Sequence, residues 1–156
     1  MRSTLTIRSF VLRKSKPDDY NLPSDYTFAR NPWGKSFYKV YSQMTYDAAV
    51  SQCGSDNAVL AIPRSEAENT FIANLVPNEK LWIGINDIAR EGRFVSVDGR
   101  DISYTKWLAG EPNNNYGDED GVEILGDRSD TVWNDVKVTY TKKFVCSVDI
   151  AGRFHR

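Results

Sequence analysis

Residues 81–85 read LWIGI, a short stretch without a single polar side chain. An apolar run of this length is suited to a strand that is buried on both faces. The sequence therefore predicts a core strand here, and the elements on either side indicate what surrounds it.

Two helices are predicted before this strand. Thr45 is placed to cap the first helix, which runs through residues 47–49 toward Cys53. Ser65 and Glu68 have the spacing of a capping box at the start of the second helix. Apolar residues then recur on one face of that helix. They are Phe71, Ile72, Leu75 and Val76.

Short strands are predicted at both ends of the same region. Residues 36–41 (SFYKVY) and 143–148 (KFVCSV) are rich in β-formers. Residues 94–95, followed by Asp-Gly at 98–99, predict a further strand and a turn. Two helices followed by short strands indicate an α+β domain, which we assign to residues 36–150.

Both ends of the chain are assigned outside this domain. Residues 1–35 are expected to be an N-terminal leader, in which residues 4–12 (TLTIRSFVL) predict a strand or a partner contact. Residues 151–156 are a C-terminal tail. The basic start lacks the continuous apolar core of a secretory signal, so the sequence contains no clear signal peptide.

Composition excludes several classes of protein. The chain has 156 residues, enough for one ordinary domain, with 40% hydrophobic and 26% charged residues. A net charge of -1 lacks the basic surplus of a general nucleic-acid binder. No apolar run approaches the ~20 residues of a membrane span. We therefore expect no nucleic-acid partner and no membrane insertion.

The two cysteines, Cys53 and Cys146, fit two interpretations. They are either unrelated buried thiols or the ends of one long-range disulfide. A bridge that closes a loop of roughly 93 residues would stabilise the fold by ~4–5 kcal/mol in the chain-entropy model. Spacing alone leaves both interpretations open.

A long polar region over residues 110–129 is rich in carboxylate and amide side chains, and Asn134 and Asp135 follow it. Such hard oxygen ligands suit calcium, whereas zinc prefers histidine or thiolate. The single histidine, His155, lies in the tail. Composition alone also fits an acidic, solvated loop, but Pro112 and Trp133 would rigidify the region, which favours a metal site.

A set of short motifs follows in a fixed order along the chain. They are Cys53, Ala61-Ile62-Pro63-Arg64-Ser65, Glu68-Asn69, Trp82-Ile83-Gly84-Ile85, Glu91-Gly92-Arg93-Phe94, Tyr104, Trp107, Gly110-Glu111-Pro112-Asn113-Asn114, Glu119-Asp120, Trp133-Asn134-Asp135 and Phe144-Val145-Cys146. Taken in this order, the motifs resemble the C-type lectin-like domain family from about residue 36 to residue 148. The resemblance implies two helices, two small antiparallel sheets and a long calcium-binding loop.

The resemblance implies a sugar-site calcium ion as cofactor, with two adjacent sugar hydroxyls completing its coordination. The Glu-Pro-Asn order resembles the mannose-type version of the family, which binds mannose, fucose, glucose and N-acetylglucosamine; the galactose-type Gln-Pro-Asp is absent. Asn115 and Tyr116 are either further sugar contacts or plain loop surface. The five implied ligands are Glu111, Asn113, Glu119, Asn134 and Asp135.

The resemblance also implies a second, auxiliary calcium site. Asn114 stands where the family commonly has aspartate, so we expect a weaker site. For Asp87 and Glu91, the alternative is an ordinary role in a surface turn. The residues that match are Asp87, Glu91, Asn114, Glu119 and Asp120.

Two disulfides are usual in the family, and only the outer one, Cys53–Cys146, is implied here. Gly121 and Val138 stand where the inner bridge would be, so we expect a more mobile loop that depends on calcium for its order. A disulfide favours an extracellular or cell-surface setting.

Three functions from different classes remain to be weighed. A calcium-dependent lectin that binds glycans is favoured, and weak single sites would require a homodimer or higher oligomer for avidity. A structural protein on the same fold, such as an ice- or mineral-associated relative, is the alternative. A glycosidase with paired carboxylates is disfavoured because the metal site already claims the acidic pairs, so we expect no enzyme.

Overall fold

The structure is a computed structural model that describes residue 23, residues 25–31 and residues 34–149. The strand predicted at residues 4–12 and the tail at 151–156 lie outside these residues. None of the helices in the described part of the chain is long and apolar enough to cross a membrane.

The elements, in chain order, are β1 (Thr27–Asn31), β2 (Gly34–Met44), α1 (Tyr46–Ser55), β3 (Val59–Leu60), α2 (Glu66–Leu75), β4 (Lys80–Asn86), β5 (Val95–Ser96), β6 (Gly121–Leu125), β7 (Trp133–Val136) and β8 (Lys142–Asp149).

The α+β class is confirmed, with both predicted helices and the strands at 36–41, 81–85 and 143–148 present. One antiparallel group contains β1, β2, β8 and β3, and the other contains β5, β4, β6 and β7. The two expected sheets are nevertheless one mixed sheet, because β4 and β8 form a short parallel pairing at Leu81–Lys143 and Trp82–Phe144.

Side-chain caps explain where both helices begin. The hydroxyl of Thr45 accepts a hydrogen bond from the backbone N–H of Ala48 at 3.4 Å, and Ser65 does the same for Glu68 at 3.1 Å. The expected capping box is altered in its second half. Glu68 Oε1 accepts from the backbone N–H of Arg64 at 2.9 Å, one residue before the expected partner.

The core strand β4 requires a glycine in its middle. A Cβ at Gly84 would lie 2.4 Å from the carbonyl oxygen of Leu60, closer than any carbon–oxygen contact allows. The close approach lets Gly84 N–H donate to the carbonyl of Ala61 at 2.9 Å. On the same strand Trp82 and Ile83 are fully buried, as the sequence predicts.

A disulfide joins Cys53 on α1 to Cys146 on β8, with an S–S distance of 2.00 Å and a Cα–Cα distance of 5.3 Å. Both cysteines are buried in an aromatic-rich part of the core that includes Tyr46, Trp82 and Phe144. The disulfide is therefore confirmed, and the interpretation as two unrelated thiols is wrong.

The end of the segment assigned as a leader packs onto the domain. Strand β1 pairs with β2, and the buried Tyr26 donates its hydroxyl proton to Asp56 Oδ2 at 3.1 Å. Strand β2 begins at Gly34, two residues before the predicted start. The boundary between an N-terminal leader and the domain at residue 35 stays a prediction.

The polar region over residues 110–129 is not one continuous loop. Residues 121–125 (GVEIL) form β6, whose five residues are all buried between β4 and β7. The expectation of an uninterrupted loop was wrong here because Val122 and Ile124 are enough to bury a short strand that has partners on both sides. The true loop therefore ends before residue 121.

Candidate metal centre

Two clusters of carboxylates occur among the described residues. Within each cluster, one oxygen from each of three residues lies within 4.8 Å of the others. The first cluster, named here the loop cluster, consists of Glu111, Glu119 and Asp135. The second, the turn cluster, consists of Asp87, Glu91 and Asp120.

Asp135 holds the Glu-Pro-Asn segment in place. Its Oδ1 accepts from the backbone N–H of Asn113 at 3.1 Å, and its Oδ2 accepts from that of Asn114 at 2.8 Å. The Glu111–Pro112 peptide bond, which comes just before Asn113, is cis. Because Asp135 is buried on β7, the sheet itself fixes the position of this loop.

Further hydrogen bonds connect the loop residues to one another. The Asn113 amide donates to Glu111 Oε2 at 3.0 Å, and its oxygen accepts from the backbone N–H of Asn115 at 3.0 Å. The same Asn115 N–H also contacts Glu119 Oε1 at 2.8 Å. Four of the five predicted sugar-site ligands, all but Asn134, are thus brought together by these contacts.

Glu111 carries the strongest electrostatic signal in the loop cluster. Its Oε1 is buried and has no hydrogen-bond partner in the described part of the chain. Burial comes first, followed by the close approach of the Asp135 carboxylate and then by the negative charges of Asp135 and Glu119, and together they raise the pKa of Glu111 to about 7. Burial is also the main cause of a raised pKa at Glu119. Such a cluster holds either a shared proton or a cation.

Asn134 makes a contact that the sequence did not predict. Its amide donates to Glu123 Oε1 at 3.0 Å, and the two residues are direct cross-strand partners on β7 and β6. Glu123 was missed as a candidate because β6 was assigned to a loop. A buried acidic residue in a run of apolar ones was the available signal.

The turn cluster repeats the pattern beside the first one. Asp87 Oδ2 accepts from the backbone N–H of Gly92 at 2.8 Å, whereas its Oδ1 is buried without a partner among the described residues. The pKa values of Glu91 and Asp120 are raised, by burial first and by the charge of Asp87 as a further cause. Asn114, predicted as a ligand here, instead accepts from the backbone N–H of Glu119 at 3.0 Å.

Trp133 anchors the residues that follow it, as the sequence predicts. Its indole N–H donates to Asn69 Oδ1 on α2 at 2.7 Å, and the Asn69 amide donates to the carbonyl of Thr131 at 3.0 Å. Both Trp133 and Asn69 are fully buried. This bridge holds the start of β7 against α2, so that the Asn134–Asp135 pair projects from a rigid part of the fold.

The two candidate sugar-contact residues lie at the tip of the loop. Asn115 and Tyr116 belong to a single 3-10 turn at Asn115–Gly117. Tyr116 is 89% exposed and has a φ of 59°. Its ring is accessible to an external partner, and its role as a sugar contact stays a prediction.

Comparison with known proteins identifies the family. The model of the lectin C-type domain matches residues 42–148. The chain therefore belongs to the C-type lectin domain family, and the fold that the resemblance implied is confirmed. This family and its collectin members are non-enzymatic binding proteins.

Individual relatives agree with this assignment. The chain is 37% identical over 116 residues to collectin-10 of Homo sapiens, a match that covers 72% of this chain and 41% of collectin-10. Collectin-10 of Xenopus tropicalis is 40% identical over 116 residues, with coverages of 72% and 41%. The chain thus spans about two fifths of the length of these curated relatives.

Solved structures show the same fold. The C-type lectin CEL-I from Cucumaria echinata superposes with a TM-score of 0.72 at 26% identity, covering 81% of this chain and 96% of CEL-I. The carbohydrate-recognition domain of cow CD23, solved in the presence of a GlcNAc2Man3 oligosaccharide, gives 0.69 at 25% identity, covering 81% and 94%. A calcium-independent type II antifreeze protein gives 0.71 at 22% identity, covering 81% and 92%, and shares the fold alone.

Proposed function

We propose that the protein binds mannose-type sugars through a calcium ion held by the loop cluster and its neighbouring amides. The observation that carries the proposal is the buried Oε1 of Glu111, which has no hydrogen-bond partner among the described residues and lies beside two other carboxylates, Glu119 and Asp135. Without a counter-charge the pKa of this carboxyl group lies well above its usual range. A divalent cation would neutralise the cluster without that proton.

The donor set fits calcium rather than zinc. The cluster offers carboxylate oxygens, and the amides supply further oxygens; among the residues that the structure describes, neither cluster contains an imidazole or a thiolate. When bound, calcium supplies a Lewis acid that accepts oxygen lone pairs from two adjacent hydroxyls of a sugar ring. The residues that would hold it are Glu111, Asn113, Glu119, Asn134 and Asp135.

The protein's own side chains would select the sugar by hydrogen bonding. Carboxylates such as Glu111 and Glu119 only accept, while the amides of Asn113 and Asn134 can donate. Each hydroxyl donates to one carboxylate and accepts from one amide, so the order of acids and amides decides which hydroxyl pair fits. The hydrogen bond from the Asn113 amide to Glu111 Oε2 shows that a donor and an acceptor of this kind lie side by side in the structure.

The turn cluster supports an auxiliary calcium ion. Asp87 Oδ1 is buried and finds no hydrogen-bond partner within the described part of the chain, and the raised pKa values of Glu91 and Asp120 agree with a lack of counter-charge. We propose Asp87, Glu91 and Asp120 as its ligands, together with Glu119 and Asn114 once the Asn114 oxygen is released from the Glu119 backbone. We expect weak occupancy because Asn114 brings no charge.

One relative supports a sugar ligand, and the disulfide supports an extracellular setting. The cow CD23 domain is described as carbohydrate-recognising and was solved with a mannose-containing oligosaccharide. The Cys53–Cys146 disulfide is typical of oxidising compartments. We therefore propose that the protein meets glycans on cell surfaces or glycoproteins, and that assembly into a homodimer or higher oligomer supplies avidity.

Retention on immobilised mannose tests this function. We expect the protein to be retained in millimolar calcium and released by a chelator or by free mannose, but not by galactose. Glu119→Gln should lose retention, because it removes one charged ligand. Asp118→Asn is the matched control, because Asp118 is the exposed neighbour of Glu119 and belongs to neither cluster. The resin should retain this variant as it retains the wild type.

The alternative is a structural or ice-associated protein that uses the fold without a sugar. The likeness to a calcium-independent antifreeze protein shows that the fold serves such a protein, and it carries no further argument. If neither mannose nor fucose resin retains the protein in calcium, this alternative takes the place of the lectin function.

A further inference from the structure

Glu123 is a buried acidic residue outside both carboxylate clusters. It lies on β6 directly opposite Asn134 on β7 and is only 3% exposed. Its Oε1 accepts the hydrogen bond from the Asn134 amide at 3.0 Å. One oxygen of this carboxylate is therefore committed to a residue that the proposed function makes a calcium ligand.

Lys142 neutralises the other oxygen. Its ammonium lies 2.7 Å from Glu123 Oε2, and the lysine side chain is only 11% exposed. Oε2 has no aligned hydrogen-bond donor in the described part of the chain, so the contact is an ion pair. The ammonium also lies 5.3 Å from the centre of the Trp82 ring. Lys142 is therefore the counter-charge that this buried carboxylate requires.

An ionised carboxylate can distinguish the two ends of a carboxamide. It accepts hydrogen bonds and donates none, so the NH₂ end of Asn134 must face Glu123 and the oxygen must face elsewhere. Without this contact the two ends of the amide are nearly equal in shape, and either can turn toward the cluster. A calcium ion accepts only the oxygen.

We infer that Glu123, neutralised by Lys142, is a positioning residue that fixes the Asn134 carboxamide with its oxygen available to the proposed calcium ion. This inference rests on the proposed function. Second-layer partners of metal ligands typically change metal affinity by 10- to 100-fold when they are removed. The Glu123–Lys142 pair is thus part of the site although it touches neither metal nor sugar.

Two double variants separate positioning from packing. Glu123→Leu with Lys142→Met removes the acceptor, and Glu123→Gln with Lys142→Met keeps an acceptor oxygen; neither leaves a buried unpaired charge. Calorimetric titration with calcium alone should show an affinity about 10- to 100-fold weaker in the first variant. The second keeps an acceptor but also gains a donor, so its affinity should fall between those of the first variant and the wild type. Thermal unfolding in chelator confirms that both are folded.

A measurement on the wild-type protein keeps the inference testable if the variants do not fold. Nitrogen-resolved NMR in chelator should show slow hydrogen exchange at the Asn134 side-chain NH₂, because Glu123 holds one of its protons. Exchange as fast as that of an exposed amide, or an unchanged calcium affinity in the folded Leu–Met variant, overturns the inference alone. A wild-type protein that takes up no calcium overturns the proposed function and this inference with it.

Discussion

A Cβ built on Gly121 would lie 3.2 Å from Cγ1 of Val138. The two positions where the family usually carries its inner disulfide are therefore adjacent, although neither residue is a cysteine. Val138 fills the space that a second sulfur would occupy. The two positions are therefore close enough in space for a cross-link to be tested.

Replacing both residues, Gly121→Cys with Val138→Cys, should form the inner disulfide. It would close a loop of about 17 residues and stabilise the calcium-free protein by up to about 3 kcal/mol. Contacts of the new Cβ at 3.0 Å with Trp82 and 3.2 Å with Tyr46 will reduce this gain. Denaturant unfolding in chelator measures it.

The matched control is the pair Gly121→Ser with Val138→Ser, which has nearly the same shape and cannot cross-link. Two free thiols in the mass spectrum of the cysteine variant, or a stability equal to that of the serine pair, would show that the two positions are not poised for a bridge.

Acidification should stabilise the calcium-free protein through Glu111. Its folded-state pKa of about 7 lies above the ordinary value of 4.5, so between these values the folded state holds a proton that the unfolded state has lost. The free energy of unfolding therefore rises as the pH falls from 7 toward 4.5, and this contribution is lost as the pH rises through 7.

Denaturation of the wild type and of Glu111→Gln at several pH values isolates this contribution as the difference between the two proteins. In saturating calcium the sign reverses, because the ion requires the ionised carboxylate. A difference that does not change with pH in calcium-free buffer contradicts the electrostatic description of the cluster.

Gly84→Ala should destabilise the protein by roughly 1–3 kcal/mol, as expected for overpacking a close-packed core. The added carbon would meet the Leu60 carbonyl, which belongs to backbone and cannot move aside cheaply. Gly54→Ala on α1 is the control, because nothing lies within 4 Å of its Cβ position. Alanine in that helix should be neutral or stabilising by up to about 1 kcal/mol, as thermal unfolding can measure. Equal stabilities would refute the packing argument.

The double variant Glu111→Gln with Asn113→Asp should shift preference from mannose toward galactose. It exchanges the acid and the amide on the two sides of Pro112, and so reverses which hydroxyl finds a donor and which an acceptor. Competition of both free sugars for an immobilised glycan measures the change. A variant that still prefers mannose would show that this order does not set the choice.

The sequence predicted the elements whose signals are local. Thr45 and Ser65 indicate the starts of the two helices by their capping chemistry, and the LWIGI run indicates β4 by its apolar content. The prediction from sequence was wrong at β6, because Asp118, Gly121 and Glu123 make this stretch look polar. Burial there comes from β4 and β7 on either side, a non-local effect that composition does not report.

The candidate site divides along the same line. The ligand types at Glu111 and Asn113 followed from the resemblance, and the structure places Glu111 in the loop cluster with Asn113 hydrogen-bonded to it. The roles of Asn69, Glu123 and Lys142 depend on contacts across the sheet between residues far apart in the chain. No spacing rule connects a lysine at the start of β8 to an asparagine on β7, so these contacts required the folded structure.

Calorimetric titration of calcium into the calcium-free protein at about pH 8, above the pKa of Glu111 near 7, tests the central claim most directly. The wild type and Asp118→Asn should take up calcium with the same affinity, and Glu111→Gln should bind at least about tenfold more weakly. No uptake by the wild type at millimolar calcium, or a Glu111→Gln titration that matches the wild type, would contradict it.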